Sequence, residues 1–373
     1  MTTTTRIWPS EVARATVPTG ALPTPVIDIH SHAMPLPLLE WLAAGGLADL
    51  SDRATGSVSI DPAVCGLNRG AAIPFPPEQF DVEARIRSMD AAGVSIHAVS
   101  APPFLFASES TDDALTLEVV RKSNDALAEF VGQAPDRLVG MATLPVGLTE
   151  ASDELRRCVD ELGFAGATIG TYGGSAELDA PVNEPLWDEL SKRQILVLVH
   201  PSRVSDRTRL ADYHLVQLLG YPVETGLAVS RLVFGGVLDR YDLRLCLAHG
   251  GGCLPGITPR LDLGWERKSS ARKVDRPPSD YLRKLMYDTA VFDDDVLARL
   301  IGRVGVSNVL MGSDFPFDLA DRSPLQSVRG LDLTDEEKQL ILGGNAVRYL
   351  SGHTRAGSAS AGTASTAEQR GAL

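Results

Sequence analysis

The sequence predicts an α/β protein built as a (β/α)8 TIM barrel with an insertion after its first strand. Three observations carry that expectation. Eight short apolar runs alternate with segments of helical period, as in a parallel sheet covered on both faces. Four of the seven histidines fall at the C-terminal ends of such runs, the face of a barrel where reactive groups gather. The 373 residues hold the ~250 that a barrel needs, with the remainder in one long connection and two tails. An open doubly wound sheet is the structural alternative, but no Gly-x-Gly-x-x-Gly follows an early strand to support its dinucleotide-binding form.

Taken in order, residues 1–24 are rich in Thr, Pro and Ala and form an N-terminal arm. Strand one covers 26–30. Residues 33–80 are punctuated by Pro and Gly and read as the insertion, with a hairpin around Ser57 to Ile60. A helix from Asp81 to Ala92, closed by Gly93, leads into a strand from Val94 to Ser100. The helix from Asp112 to Gln133 offers Leu115, Val119, Leu127 and Phe130 to one face. Leu138 to Leu144 is strand three, Ala151 to Leu162 a helix, and Ala165 to Gly170 strand four. A helix from Asn183 to Arg193 precedes the fully apolar fifth strand, Ile195 to Val199, which ends at His200. After a helical excursion from Tyr213 to Leu238, Leu243 to Ala248 is strand six and ends at His249. Leu285 to Asp288 is strand seven. A helix from Asp293 to Ile301 follows, with three acids in its positively polarised first turn. Val309 to Met311 is strand eight and runs on to Asp314. Thr334 opens a capping box, and a last helix covers Asn345 to Leu350. The barrel domain therefore spans 25–351, and the Ala, Gly, Ser and Thr rich residues 352–373 form a disordered tail.

Hydrophobic residues at 44% and charged residues at 22% describe a soluble globular chain. Forty-eight acids against thirty-five bases, a net charge of −13, exclude nucleic acid and anionic membranes as general partners. Cys65, Cys158, Cys246 and Cys253 are scattered without a CxxC and read as reduced thiols. Neither a signal peptide nor a ~20-residue apolar span is visible, so the cytoplasm is the expected location.

The chemistry begins at Val26-Ile27-Asp28-Ile29-His30-Ser31-His32. Side chains alternate faces along a strand, so His30 and His32 point the same way and can share one divalent ion. An isolated pair two residues apart is more often chance or structure. His200 alone would be a buried histidine satisfying a loop carbonyl, and Asp314 alone a helix cap before Pro316. His249 precedes Gly250-Gly251-Gly252, a flexible turn or a place where backbone approaches a ligand. In a barrel, however, all five converge on one face. Imidazole nitrogen and carboxylate oxygen suit zinc or a similar divalent ion, with room left for a water. His97, mid-strand, and His353, in the tail, carry no catalytic expectation; His214 is a possible substrate contact.

These residues resemble the metal-dependent amidohydrolase superfamily, and within it the aminocarboxymuconate semialdehyde decarboxylase family. The resemblance rests on Asp28-Ile29-His30-Ser31-His32, Asp81-Val82-Glu83-Ala84-Arg85-Ile86, Val199-His200-Pro201, Ala248-His249-Gly250-Gly251-Gly252, Gly312-Ser313-Asp314-Phe315-Pro316 and Gly344-Asn345-Ala346, spread over residues 25–351. It implies the barrel of metal-dependent hydrolases, with His30, His32, His200 and Asp314 as metal ligands. His249 then acts as acid and base beside a water whose pKa the ion lowers towards ~7. It further implies that Arg260 reaches the substrate carboxylate of a neighbouring subunit in a homodimer, and that Arg69 is the nearest match to a second carboxylate-binding arginine. The family's aromatic residue after strand five has Gln217 in its approximate place. No Lys follows strand four, so one ion is expected, zinc first and manganese second.

The function that follows is a non-oxidative decarboxylase of a small unsaturated or aromatic carboxylic acid. A hydrolase or hydratase of a small carboxylate-bearing substrate uses the same ligand set, because an activated water is indifferent to its electrophile. A metal-stabilised scaffold without catalysis is the third reading; loss of one of the five site residues would mark it, and all are present.

Overall fold

A computed structural model describes residues 24–350. Eight parallel strands form one sheet: β1 (Ile27–His32), β2 (Ile96–Ser100), β3 (Leu138–Leu144), β4 (Gly166–Gly170), β5 (Leu196–His200), β6 (Arg244–Leu247), β7 (Met286–Asp288) and β8 (Val309–Leu310), hydrogen-bonded in chain order. Its two ends meet. Ile29 N–H donates to Met311 O at 3.0 Å, Asp314 N–H to His30 O at 2.9 Å and His32 N–H to Phe315 O at 2.7 Å, so β1 joins the chain running out of β8 and the sheet closes as a barrel.

Around it lie helices α1 (Val82–Ala92), α2 (Asp113–Gly132), α3 (Ala151–Asp160), α4 (Glu184–Arg193), α5 (Tyr221–Phe234), α6 (Leu254–Arg267) and α7 (Asp294–Val304). Their starts follow from the sequence. Asp81, Asp112 and Asp293 each accept a hydrogen bond from a backbone N–H in the first turn, satisfying donors that a helix leaves open. Thr334 and Glu337 form both bonds of their capping box. The period of two decides what each strand buries: in β5, Val197 and Val199 pack with Trp187 and Leu190 of α4, whereas Leu196 and Leu198 join the cluster with Met141, Cys246 and Leu310. His200 continues the second face.

The expected elements are present with ends shifted by up to three residues, and the helical excursion expected from Tyr213 to Leu238 is divided into Val216–Gly220, Tyr221–Phe234 and Val237–Arg240. Several helices lie outside the expectation, among them the short Pro62–Cys65, Pro278–Leu282 and Pro324–Arg329 and two longer ones. Leu36–Ala44 opens the insertion, where Pro35 and Pro37 read as loop punctuation but serve a helix N-terminus. The helix α6 follows Gly250-Gly251-Gly252 and carries an internal Pro259. Ser57–Ile60 is a strand, paired with Ala48–Asp49 on one side and Ile73–Pro74 on the other. This insertion has its own apolar cluster, including Met34, Leu39, Ile60 and Phe75. The four cysteines form no disulfide, and no helix among the described residues is long and apolar enough to cross a membrane. The expected arm, apart from Thr24, and the tail 352–373 lie outside the described residues, as does His353.

Candidate metal centre

Three of the four strand-end histidines are held by an acceptor on the Nδ1 side. His30 Nδ1 lies 2.6 Å from Asp288 Oδ2. His32 Nδ1 lies 3.2 Å from Ala101 O and 3.2 Å from Ser100 Oγ. His200 Nδ1 lies 2.8 Å from Pro201 O. In the neutral form each of these imidazoles has one N–H, and acceptors at Nδ1 assign it there, leaving the Nε2 lone pair for a ligand.

Those lone pairs converge. His30 Nε2 and His32 Nε2 are 3.1 Å apart, and Asp314 Oδ1 stands 3.3 Å from the first and 3.1 Å from the second. The His200 ring centroid is 5.0 Å from that of His30 and 5.2 Å from that of His32, and its Nε2 is buried without a hydrogen-bond partner. Buried acceptors this close repel unless a cation or proton lies between them. One donor atom from each of His30, His200, His249 and Asp314 lies within 4.8 Å of the others, and His32 joins through His30 and Asp314. The orphaned His200 nitrogen and this nitrogen-rich donor set fit a borderline divalent ion.

The electrostatics match that reading. Burial works against a charge on His30, yet the charge of Asp314 and the bond to Asp288 outweigh it and push its pKa up to about 10. Burial would raise Asp314, but the His30 charge and bonds from His249, His30 and His32 hold it well below the carboxylate range. Burial keeps His32 low, and burial with the neighbouring imidazoles keeps His200 well below its ordinary value. Without a metal, the cluster retains one proton between His30 and Asp314.

His249 stands on the turn after β6, with φ at 55°, and Asp314 has φ at 67°. Left-handed backbone at non-glycine residues is strained and collects at functional sites. His249 Nε2 is 3.4 Å from Asp314 Oδ2, while its Nδ1 is buried without a partner. Both residues and His200 line a cavity of about 1250 Å³, walled mainly by apolar side chains including Phe104, Leu218, Val291, Phe292 and Phe317. Gln217 and His214 line it too, and so does Tyr221, one turn beyond Gln217, whose ring centroid is 6.2 Å from that of His200. An aromatic side chain thus follows strand five after all, one helical turn later than the resemblance implied.

The two expected substrate arginines lie outside the cavity wall of this chain. The Arg69 side chain is 80% exposed and pairs with Asp61 at 2.7 Å, and it does not line the cavity. The resemblance names it as the nearest match in the insertion, whereas here its side chain is exposed beside Asp61. Arg260 is exposed on α6, also outside the cavity wall of its own chain. The arginines that line the cavity are Arg299 and Arg303 of α7. Arg303 donates to Pro255 O at 2.8 Å, whereas Arg299 makes no hydrogen bond or ion pair among the described residues. The sequence motifs do not include Asp288, although its place at the end of β7 matches those of His30, His200 and Asp314 on β1, β5 and after β8. His97 sits in a buried contact with Arg85, its Nδ1 3.1 Å from Nη1.

A (β/α)8 barrel with three imidazoles and a carboxylate meeting at its strand ends defines the class of metal-dependent barrel enzymes. The chain belongs to the amidohydrolase family, whose model matches residues 27–351, and to its aminocarboxymuconate semialdehyde decarboxylase-like branch. It is 34% identical to the 2-amino-3-carboxymuconate-6-semialdehyde decarboxylase of Dictyostelium discoideum, over 87% of this chain and 91% of that protein. It is 30% identical to a 6-methylsalicylic acid decarboxylase of Aspergillus aculeatus, over 78% of this chain and 84% of that one. In fold it is similar to the crystal structure of a dihydroxybenzoic acid decarboxylase from Polaromonas, solved with manganese and 2-nitroresorcinol, with a TM-score of 0.73, 22% identity and coverage of 88% and 97%.

Proposed function

We propose that this protein is a metal-dependent, non-oxidative decarboxylase of a small unsaturated or aromatic carboxylic acid. The observation that carries the reading is the convergence of His30, His32, His200 and Asp314 beside an apolar cavity into which His249 faces. The relatives' decarboxylase names support the reaction class.

His30, His32, His200 and Asp314 would hold one divalent ion, zinc ahead of manganese. Bound there, it supplies Lewis acidity towards a substrate or water oxygen. The apolar walls take the planar body of the acid and exclude bulk water, which strengthens every charge interaction inside. The bond to the carboxylate carbon breaks, CO2 leaves, and the electron pair remains on the ring or alkene carbon. That carbon must gain a proton. His249, in the cavity wall with Nε2 beside Asp314, is placed to deliver it and to be reprotonated from solvent. Arg299, the unpaired arginine of the wall, meets the anionic group of the incoming acid.

Residues 25–351 act as one catalytic domain in the cytoplasm. Arg260 acts across a homodimer, where the exposed Leu263 on the same helix would be covered by the second copy. The deciding experiment incubates the metal-loaded protein with unsaturated and aromatic acids in deuterated water. Release of CO2 with one deuterium at the vacated carbon supports the decarboxylase. Product that has gained water and kept its carboxylate makes the protein a hydrolase or hydratase.

A further inference from the structure

Asp288, fully buried at the end of β7, places its carboxylate between the two halves of the site. Its Oδ2 accepts from His30 Nδ1 at 2.6 Å and from His249 N–H at 3.0 Å. Its Oδ1 accepts from Gly250 N–H at 2.7 Å and from Ala290 N–H at 3.2 Å. A carboxylate offers about four acceptor sites, and all are used. We propose that Asp288 is a positioning residue that couples the metal ligand His30 to the proton carrier His249, one through its ring and the other through its backbone. The proposal rests on the metal-centre reading and deepens it.

The ring contact sets a tautomer. With Nδ1–H donated to Asp288, His30 has only Nε2 to offer an ion, and the short bond makes that nitrogen a better donor. The backbone contacts set a turn. His249, Gly250, Gly251 and Gly252 all have positive φ, at 55°, 60°, 79° and 58°. Successive N–H groups in such a turn form a concavity suited to an anion. Here Asp288 fills it, so the glycine run serves an internal carboxylate and not the substrate. The fit leaves no slack: a Cβ on Gly250 would come within 2.3 Å of Val291 Cγ1, and one on Gly252 within 2.4 Å of Pro222 O. On the far side, a Cβ on Gly312 would lie 2.8 Å from His30 Cβ and 2.9 Å from Asp288 Cβ, so only glycine lets these two side chains pair beside β8.

The test is Asp288→Asn, whose single carbonyl oxygen satisfies half of these donors. Zinc affinity, measured by competition with a chromophoric chelator, should fall by roughly 10–100-fold, the usual cost of an outer-shell ligand partner. At saturating zinc, kcat should remain depressed because the His249 turn has lost its anchor. Should the variant fail to fold, histidine 15N NMR of the wild type decides the matter. His30 should carry a proton on Nδ1, shifted far downfield, with or without zinc, and zinc should displace the proton from Nε2. Zinc affinity and kcat equal to wild type in a folded Asp288→Asn protein, or a His30 whose Nδ1 carries no proton, would overturn the proposal alone. A wild type that binds no divalent ion would overturn the metal-centre reading, and this proposal with it, although NMR would still report the His30 tautomer.

Discussion

His32 Nε2 lies 3.1 Å from Asp314 Oδ1 across 282 residues of sequence, at the seam where β1 meets the chain leaving β8. The closure of the barrel and the assembly of the site are therefore one event: the hydrogen bonds that join these two segments also bring the His-x-His pair against the carboxylate.

Because the Nε2 atoms of that pair converge on Asp314 beside the orphaned Nε2 of His200, purified protein should contain about one divalent ion per chain by elemental analysis. His30→Ala and Asp314→Ala should each weaken its retention by more than the ~10–100-fold that an outer-shell change costs. A fully folded, metal-free and metal-indifferent wild type would refute the centre.

Proton and metal should compete. His30, pushed up to about 10 by Asp314 and Asp288, holds a proton at neutral pH in the metal-free protein, and a bound ion must expel it. Apparent metal affinity should thus rise as pH climbs towards that value and fall on acidification. Calorimetric zinc titration at pH 7 in two buffers of different ionisation enthalpy should show net proton release; identical heats would contradict the coupling.

His249→Ala should keep the metal and lose turnover by ~10²–10⁴-fold, the range for removing a general acid or base. Metal loss in this variant would instead place His249 among the ligands, which its position in the donor cluster makes a sharp alternative.

Substrate anchoring should follow the cavity wall. Arg299→Ala should raise KM by roughly 10–100-fold, corresponding to a charge-assisted hydrogen bond of ~1.5–3 kcal/mol. Arg69→Ala, at an exposed ion pair of ~0–1 kcal/mol, should leave steady-state kinetics near wild type. The opposite ranking would return the anchor to the insertion.

Mixed Arg260→Ala and His249→Ala subunits should regain part of the activity, since a hybrid dimer would contain one site with both residues intact. Confirmed hybrids without recovery would show that Arg260 does not act across an interface.

Strands, their order and the ends at which histidines emerge were legible because apolar period and capping residues act locally, as at Asp112 and in the run Leu196–Val199. The family motifs likewise name His30, His32, His200, His249 and Asp314 as one set. The insertion was not legible in this way. Leu36–Ala44 hides behind prolines, and Arg69 looks available to a ligand in the sequence, whereas its side chain is exposed and paired with Asp61. By itself, then, the sequence determined the barrel and the chemical types of the side chains gathered at its strand ends, since both follow from short-range pattern. Only the tertiary structure decided the hydrogen-bonding partner of His30, the supply of an aromatic wall by Tyr221, and the entry of Arg299 rather than Arg69 into the cavity. Those depend on distances between segments remote in the chain, which close packing sets and no local pattern encodes.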